Sequence, residues 1–243
     1  MKRDSQQFKR FIREYWSYYR ELERDLLATR KYVSFEPVNY STYSLEYLKL
    51  FQAACSEVDV LGKTMAYAAN NNFQPDDRRN SILKWWFEIQ DAYHFPESQK
   101  SAACPQQNAP ALSDSSCTFL DEFTIKPWES FRTEWYLTQG SQRRGTQRRI
   151  RCAEKSAPPS WWTSHNKVKH NRTSPAKETS GRTYYHEANL GNVISAFAAL
   201  YILEMSYMAS IGTKNDLEAF ADYSQLFEKK STLTTEEVDS WFH

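Results

Sequence analysis

The stretch Leu190-Gly-Asn-Val-Ile-Ser-Ala-Phe-Ala-Ala-Leu-Tyr-Ile-Leu-Glu-Met-Ser-Tyr-Met-Ala209 decides the fold class. Its apolar residues recur at three- and four-residue steps, the period of an α-helix. Leu190, Val193, Ile194, Phe197, Leu200, Tyr201 and Met208 form one stripe. Asn192, Ser195, Glu204 and Ser206 interrupt the run, so it reads as a buried core helix ahead of a membrane span. Its extent is roughly residues 186 to 211.

Outward from this helix the same period dominates. Phe8, Phe11, Ile12, Tyr15, Trp16, Tyr19, Leu22, Leu26 and Leu27 predict a first helix over residues 5 to 31. Ser44 caps a second, running to about Ala69. Its predicted stripe is Leu50, Ala53, Ala54, Glu57, Val60, Leu61, Thr64 and Ala68. Ile82, Leu83, Trp85, Trp86, Ile89 and Tyr93 mark a third helix, closed before Pro96. Phe123, Trp128, Phe131 and Trp135 anchor a later segment, with a short helix expected after Pro127. Asp216 caps a short helix to about Glu228, and Thr234-Thr-Glu-Glu237 reads as a capping box for a last one.

Only six glycines occur in 243 residues, and 40% of the chain is hydrophobic. Together these predict one all-α domain over residues 1 to 243. Residues 97 to 157 form a loop-rich insertion, first rich in Ser, Ala, Gln and Pro, then very basic. Cys55 falls in an apolar helical pattern and reads as a small core residue. Cys104, Cys117 and Cys152 make no CxxC pair. The charged, amphipathic N-terminus resembles no apolar signal core, which points to a cytoplasmic protein without a membrane partner.

The net charge of +1 names no partner, but its distribution does. From Arg143 to Arg182 eleven Lys/Arg face only Glu154 and Glu178, an excess of nine positive charges. That is an electrostatic footprint for an anion such as nucleic acid, or else a solvated basic loop. Arg143, Arg144, Arg148, Arg149 and Arg151 would form a cationic strap that touches phosphates without reading sequence. His165, Lys167 and Lys169 extend it.

The densest chemistry lies in Pro158-Pro-Ser-Trp-Trp-Thr-Ser-His-Asn-Lys-Val-Lys-His-Asn-Arg172, a short polar segment. A histidine titrates near neutrality and can shuttle a proton, while an adjacent Lys or Arg holds a phosphate. Metal-independent RNA cleavage needs little more, because the ribose 2′-hydroxyl supplies the nucleophile. The plainer alternative is a pair of surface histidines. No HExxH or ExxH occurs, so no metal site or other cofactor is expected. Trp85-Trp86 and Trp161-Trp162 read chiefly as core and rim residues, with base stacking the alternative.

Glu57 and Glu204 fall on apolar stripes. A buried carboxylate costs several kcal/mol unless paired or protonated. Both are therefore expected to meet cations, from the 165 to 172 cluster or from Arg13 or Arg20 at the bundle edge.

Three pieces of the sequence together resemble the HEPN superfamily of helical domains. They are Leu50-Phe-Gln-Ala-Ala-Cys-Ser-Glu-Val-Asp-Val-Leu-Gly-Lys63, His165-Asn-Lys-Val-Lys-His170, and Glu187-Ala-Asn-Leu-Gly-Asn-Val-Ile-Ser-Ala-Phe-Ala-Ala-Leu200. The likeness covers roughly residues 40 to 70 and 160 to 210. Asn166 and His170 match the family's Asn-x-x-x-His signature. The Arg that the family places four to six residues before the histidine is absent here, and Arg172 lies on its other side.

The resemblance implies an RNA- or nucleotide-handling protein, in the form of a metal-independent endoribonuclease of a toxin–antitoxin or phage-defence system. It implies an up-down bundle of four to five core helices, a homodimer whose two motifs share a cleft, and a partner or antitoxin protein. His170 would be the general acid/base, Asn166 would position substrate, Arg172 or Lys169 would stabilise charge, and Glu57 would orient the cluster. The rival expectation is a catalytically inactive helical module for dimerisation or protein interaction.

Overall fold

A computed structural model describes residues 3–77, 80–90, 92–94, 112–120, 122–131, 135–137, 149–151, 158–176 and 181–227. The fold is all-α, a helical bundle built around one long central helix. The elements are α1 (Ser5–Phe11), a π-helical turn (Ile12–Trp16), α2 (Ser17–Ala28), α3 (Leu45–Ala69) and α4 (Ile82–Ile89), then α5 (Ser160–Asn171), α6 (Leu190–Ile211) and α7 (Lys214–Ala219). Two small antiparallel hairpins complete it: β1 (Cys117–Phe119) with β2 (Phe123–Ile125), and β3 (Trp135–Leu137) with β4 (Arg149–Arg151).

Helix α6 is the core. Every residue from Ala196 to Ala209 is buried. Asn189 caps it by accepting the Asn192 N–H at 3.0 Å, so the helix begins four residues later than its apolar pattern suggested. The preceding Tyr184–Glu187 segment is a 3-10 turn. Among the described residues α6 alone is long and apolar enough to cross a membrane, and 89% of its apolar window is buried inside the fold.

The α1–α2 region is one helical rod with a π turn in its middle. The turn lengthens the spacing of buried residues from three or four to five, from Phe11 to Trp16. This re-aims the chain so that Trp16, Tyr19, Leu22 and Leu26 all reach the core, while Ile12 and Tyr15 are only half-buried. Helix α3 starts where Ser44 Oγ accepts the Tyr47 N–H at 3.0 Å. Its buried stripe runs through Phe51, Ala54, Cys55, Val58, Leu61, Gly62 and Met65. It is rotated from the predicted one: Val60 is 43% exposed, and Glu57 lies on the flank.

Three local readings are corrected by the structure. Residues 160 to 171, read as a polar segment, form helix α5. Cys117–Phe119 and Phe123–Ile125 pair as antiparallel strands, which the sequence reading did not foresee, and the short helix expected after Pro127 is a 3-10 turn at Glu129–Phe131. Asp216 is not a cap residue. Thr213 occupies that position, and Asp216 completes its capping box and ends up inside a helix stopping at Ala219. The helix expected at residues 234 to 237 lies outside the described residues, as do Pro96, Cys104, Cys152 and most of the 97 to 157 insertion.

Residues 222–227 are tied back onto the rod. Glu23, 1% exposed, accepts from Tyr19 Oη (3.1 Å), Ser224 Oγ, and the N–H groups of Gln225 (3.0 Å) and Leu226 (3.1 Å). Arg20 neutralises it and also reaches Asp222 Oδ1 at 3.2 Å. Trp16 Nε1 donates to the Asp222 carbonyl at 3.0 Å.

Candidate functional site

An aromatic wedge sets the walls of the main cleft. Trp85, Trp86, Trp128, Phe131 and Trp161 are all buried. Trp86 stacks on Trp128 at 4.6 Å, and Trp128 meets Trp161 edge-on at 5.3 Å. Trp161 Nε1 donates to the Pro127 carbonyl at 2.9 Å. Trp85 lies so tightly on Gly62 that a Cβ there would fall 2.7 Å from the indole. These contacts lock α4 and α5 to α3. They also withdraw Trp85, Trp86 and Trp161 from any base-stacking surface.

The cleft between the three helices encloses about 680 Å³. From α3 it receives Gln52, Cys55, Ser56 and Asp59; from the start of α4, Asn80, Ser81, Ile82 and Leu83. Helix α5 contributes Trp162, His165, Asn166, Lys169 and His170. The geometry follows from spacing: positions 52, 55, 56 and 59 share one α3 face, and 162, 165, 166, 169 and 170 share one α5 face. The cleft therefore brings together four predicted residues: His165, Asn166, Lys169 and His170.

His165 forms the floor. It is 6% exposed, stacks on Trp162 (5.2 Å, 14° between planes), and meets the Phe51 edge at 5.9 Å. Its Nδ1 has no hydrogen-bond partner among the described residues. Burial, then the neighbouring Lys169 and His170, push its pKa down to about 4; Asp59 opposes them weakly. The ring is therefore neutral at pH 7, and its part in any binding is hydrogen bonding and ring contact rather than charge. Asn166, Lys169 and His170 are exposed along the rim.

Asp59 is the acid of the cleft. Its Oδ2 accepts from Lys63 Nζ at 2.6 Å and its Oδ1 from Trp85 Nε1 at 3.0 Å. It was not singled out from the sequence, although its seven-residue step from Gln52 places it on the cleft face. Ser81 was also missed, although a Ser immediately before an apolar helix is a common start signal.

The other predicted residues lie elsewhere. Glu57 does not line the cleft; its charge acts on Glu204 of α6. The expected cationic partners of these two acids are absent among the described residues. Glu204 is 1% exposed and its Oε2 is unpartnered. Burial, reinforced by Glu57, drives its pKa well above the ordinary carboxylate value, which favours the protonated form. Burial raises Glu57 as well. Arg13 pairs with Glu14 and Arg20 with Glu23 instead.

Arg172 is the exposed C-cap of α5, outside the cleft lining. Lys167 turns away from the cleft, 3.6 Å from Glu187 Oε1 and 5.5 Å above the Tyr184 ring. Ser164 Oγ donates to the same Glu187 at 2.6 Å. Arg149 and Arg151 belong to strand β4. Arg143, Arg144 and Arg148 lie outside the described residues. Those residues contain no cluster of three His, Cys, Asp or Glu able to hold a metal ion. Cys55 and Cys117 are both buried.

No family model, no curated protein and no solved structure matches the chain.

Proposed function

We propose that the α3–α4–α5 cleft handles RNA or a nucleotide and cleaves phosphodiesters without a metal. One observation carries the reading: two histidines, a lysine and an amide from one helix face line a single cleft. In the reaction the ribose 2′-oxygen attacks the adjacent phosphorus and loses its proton to a base. The P–O5′ bond breaks and the departing oxygen takes a proton from an acid, giving a 2′,3′-cyclic phosphate and a 5′-hydroxyl. His170 on the rim is the general acid/base of this exchange. Asn166 positions the substrate, and Lys169 offsets the charge that builds on phosphorus. Neutral His165 is a hydrogen-bonding partner at the floor. Asp59 takes the place of Glu57 as the acid that biases the cluster.

The test is RNA cleavage by the purified chain with chelator present, against a His170→Ala variant. Cleavage lost in the variant supports the proposal. Equal cleavage in both, or none in either, removes it.

A second reading has its own support. Arg172 and Glu57 are outside the cleft, and His170 makes no hydrogen bond among the described residues. In that reading the helices form a catalytically silent module that pairs with itself or another protein. A stable homodimer without nucleic-acid affinity at low salt would favour it. The HEPN likeness, and with it a toxin or defence role and a cytoplasmic setting, belongs to the first reading as its proposed context.

A further inference from the structure

A second pocket lies where α2 ends and α3 begins, and shares no lining residue with the cleft. It encloses about 530 Å³, in the range of small-molecule sites. Ala28, Tyr32, Val33 and Tyr47 give it apolar walls, and its charged residues are Asp25 and Glu46. Among the described residues no lysine, arginine or histidine lines it.

The surroundings keep that negative bias. Asp25 is exposed and has no ion-pair partner among the described residues. The neighbouring cations are turned elsewhere: Arg24 to Glu21 at 2.7 Å, and Arg30 over the Phe35 ring at 5.8 Å. Glu46 is held by Lys49 at 3.0 Å, which leaves Asp25 as the charge open to a ligand. The last turn of α2 carries no basic residue, so its carbonyl end adds partial negative charge. At the start of α3, Glu46 in the first turn offsets the opposite dipole.

Two hydroxyls of the lining are already engaged. Thr29 Oγ1 donates to the Leu26 carbonyl at 2.7 Å, and Ser44 Oγ accepts the Tyr47 N–H at 3.0 Å. An anion would meet a carboxylate here. A sugar or a primary ammonium would find few groups to replace the hydrogen bonds it gives up to enter. A quaternary ammonium has no such bonds to lose. Its methyl groups pack on apolar walls while its charge is drawn to tyrosine faces and a carboxylate. Tyr32, 87% exposed, would exchange water for that contact.

We propose that this pocket binds the trimethylammonium head of a choline-type compound, with Asp25 as the opposing charge and Tyr32 and Tyr47 as aromatic walls. It stands independently of the nucleotide-handling reading.

The experiment is an NMR titration of the full chain at pH 7 and low salt, following the methyl signal of choline and, separately, of 3,3-dimethylbutanol, its uncharged carbon isostere. Choline is expected to bind more tightly than the isostere by about tenfold or more. Tyr32→Ala and Asp25→Asn, both at exposed positions, are each expected to weaken choline by about threefold or more with an unchanged melting temperature. Co-sedimentation with phosphatidylcholine vesicles separates the sources of such a head. Retention that Tyr32→Ala abolishes supports the pocket and identifies a lipid headgroup; choline binding without retention supports it and identifies a free compound. Equal binding of the isostere, no binding of choline, or choline binding untouched by either substitution overturns it.

Discussion

Replacing Glu204 with Gln tests the central helix directly. Its side chain is 1% exposed, its Oε2 has no partner among the described residues, and it feels the charge of another acid, Glu57. In the folded chain its pKa lies well above 4.5, the value it regains on unfolding. Below 4.5 both states are protonated and the residue contributes its full share of stability. As pH rises past 4.5 the unfolded state ionises and the folded state does not. Stability is then lost by about 1.4 kcal/mol for each pH unit until the folded pKa is reached. Gln has the same shape and no charge to develop. Glu204→Gln should therefore match the wild type near pH 4 and gain on it progressively as pH rises from 5 into the neutral range. Urea unfolding curves of both chains at pH 4, 5, 6 and 7 measure this. A difference that stays flat with pH would refute the protonated-acid account, and would mean that Glu204 has an ionised partner in the fold.

Three more outcomes are expected. Gly62→Ala would gain helix propensity of about 1 kcal/mol, but its methyl collides with the Trp85 ring; a net loss of about 1–3 kcal/mol in chemical denaturation is predicted. Glu23→Ala strands Arg20 beside Ser224 and two backbone donors and should cost about 3–5 kcal/mol, read as a lowered melting temperature. The His165 ring should show a neutral imidazole NMR signal from pH 8 down to pH 5, because its pKa is held at about 4. Its depressed value also means that stability present above pH 6.5 is lost as pH falls from 6.5 toward 4.

How far the chain could be read depended on what each residue's neighbours were. The long apolar period of α6 and the Ser44 start of α3 were visible because both depend on local spacing and local capping. Helix α5 was legible in principle: Trp161, Trp162, His165 and Val168 are the buried face of a short helix. Its dense polar residues masked that period, since most of them face the rim. The rotation of the α3 stripe was not visible, because Ala53 and Ala68 are apolar yet only half-buried at the edge of the core, and Val60 is apolar yet exposed. That rotation moved Glu57 off the cleft and brought Asp59 onto it. Pairing was the least legible level. Nothing local in the sequence says that Glu204 meets an acid, that Lys167 turns to Glu187, or that Glu23 gathers donors two hundred residues away.

That last arrangement bears on how the chain reaches its native state during synthesis. Asp4 donates its N–H to the Ile211 carbonyl at 2.9 Å, and Glu23 waits for the Ser224 hydroxyl. The first rod to leave a ribosome can meet α3 early, but its docking on α6 and on residues 222–227 waits until nearly the whole described chain has emerged. Contacts this distant in sequence form slowly, and the part of the α1–α2 face that they cover stays open meanwhile. Nascent chains stalled before Asp222 should consequently remain sensitive to protease and available to chaperones, and become resistant only once that late segment is free to dock.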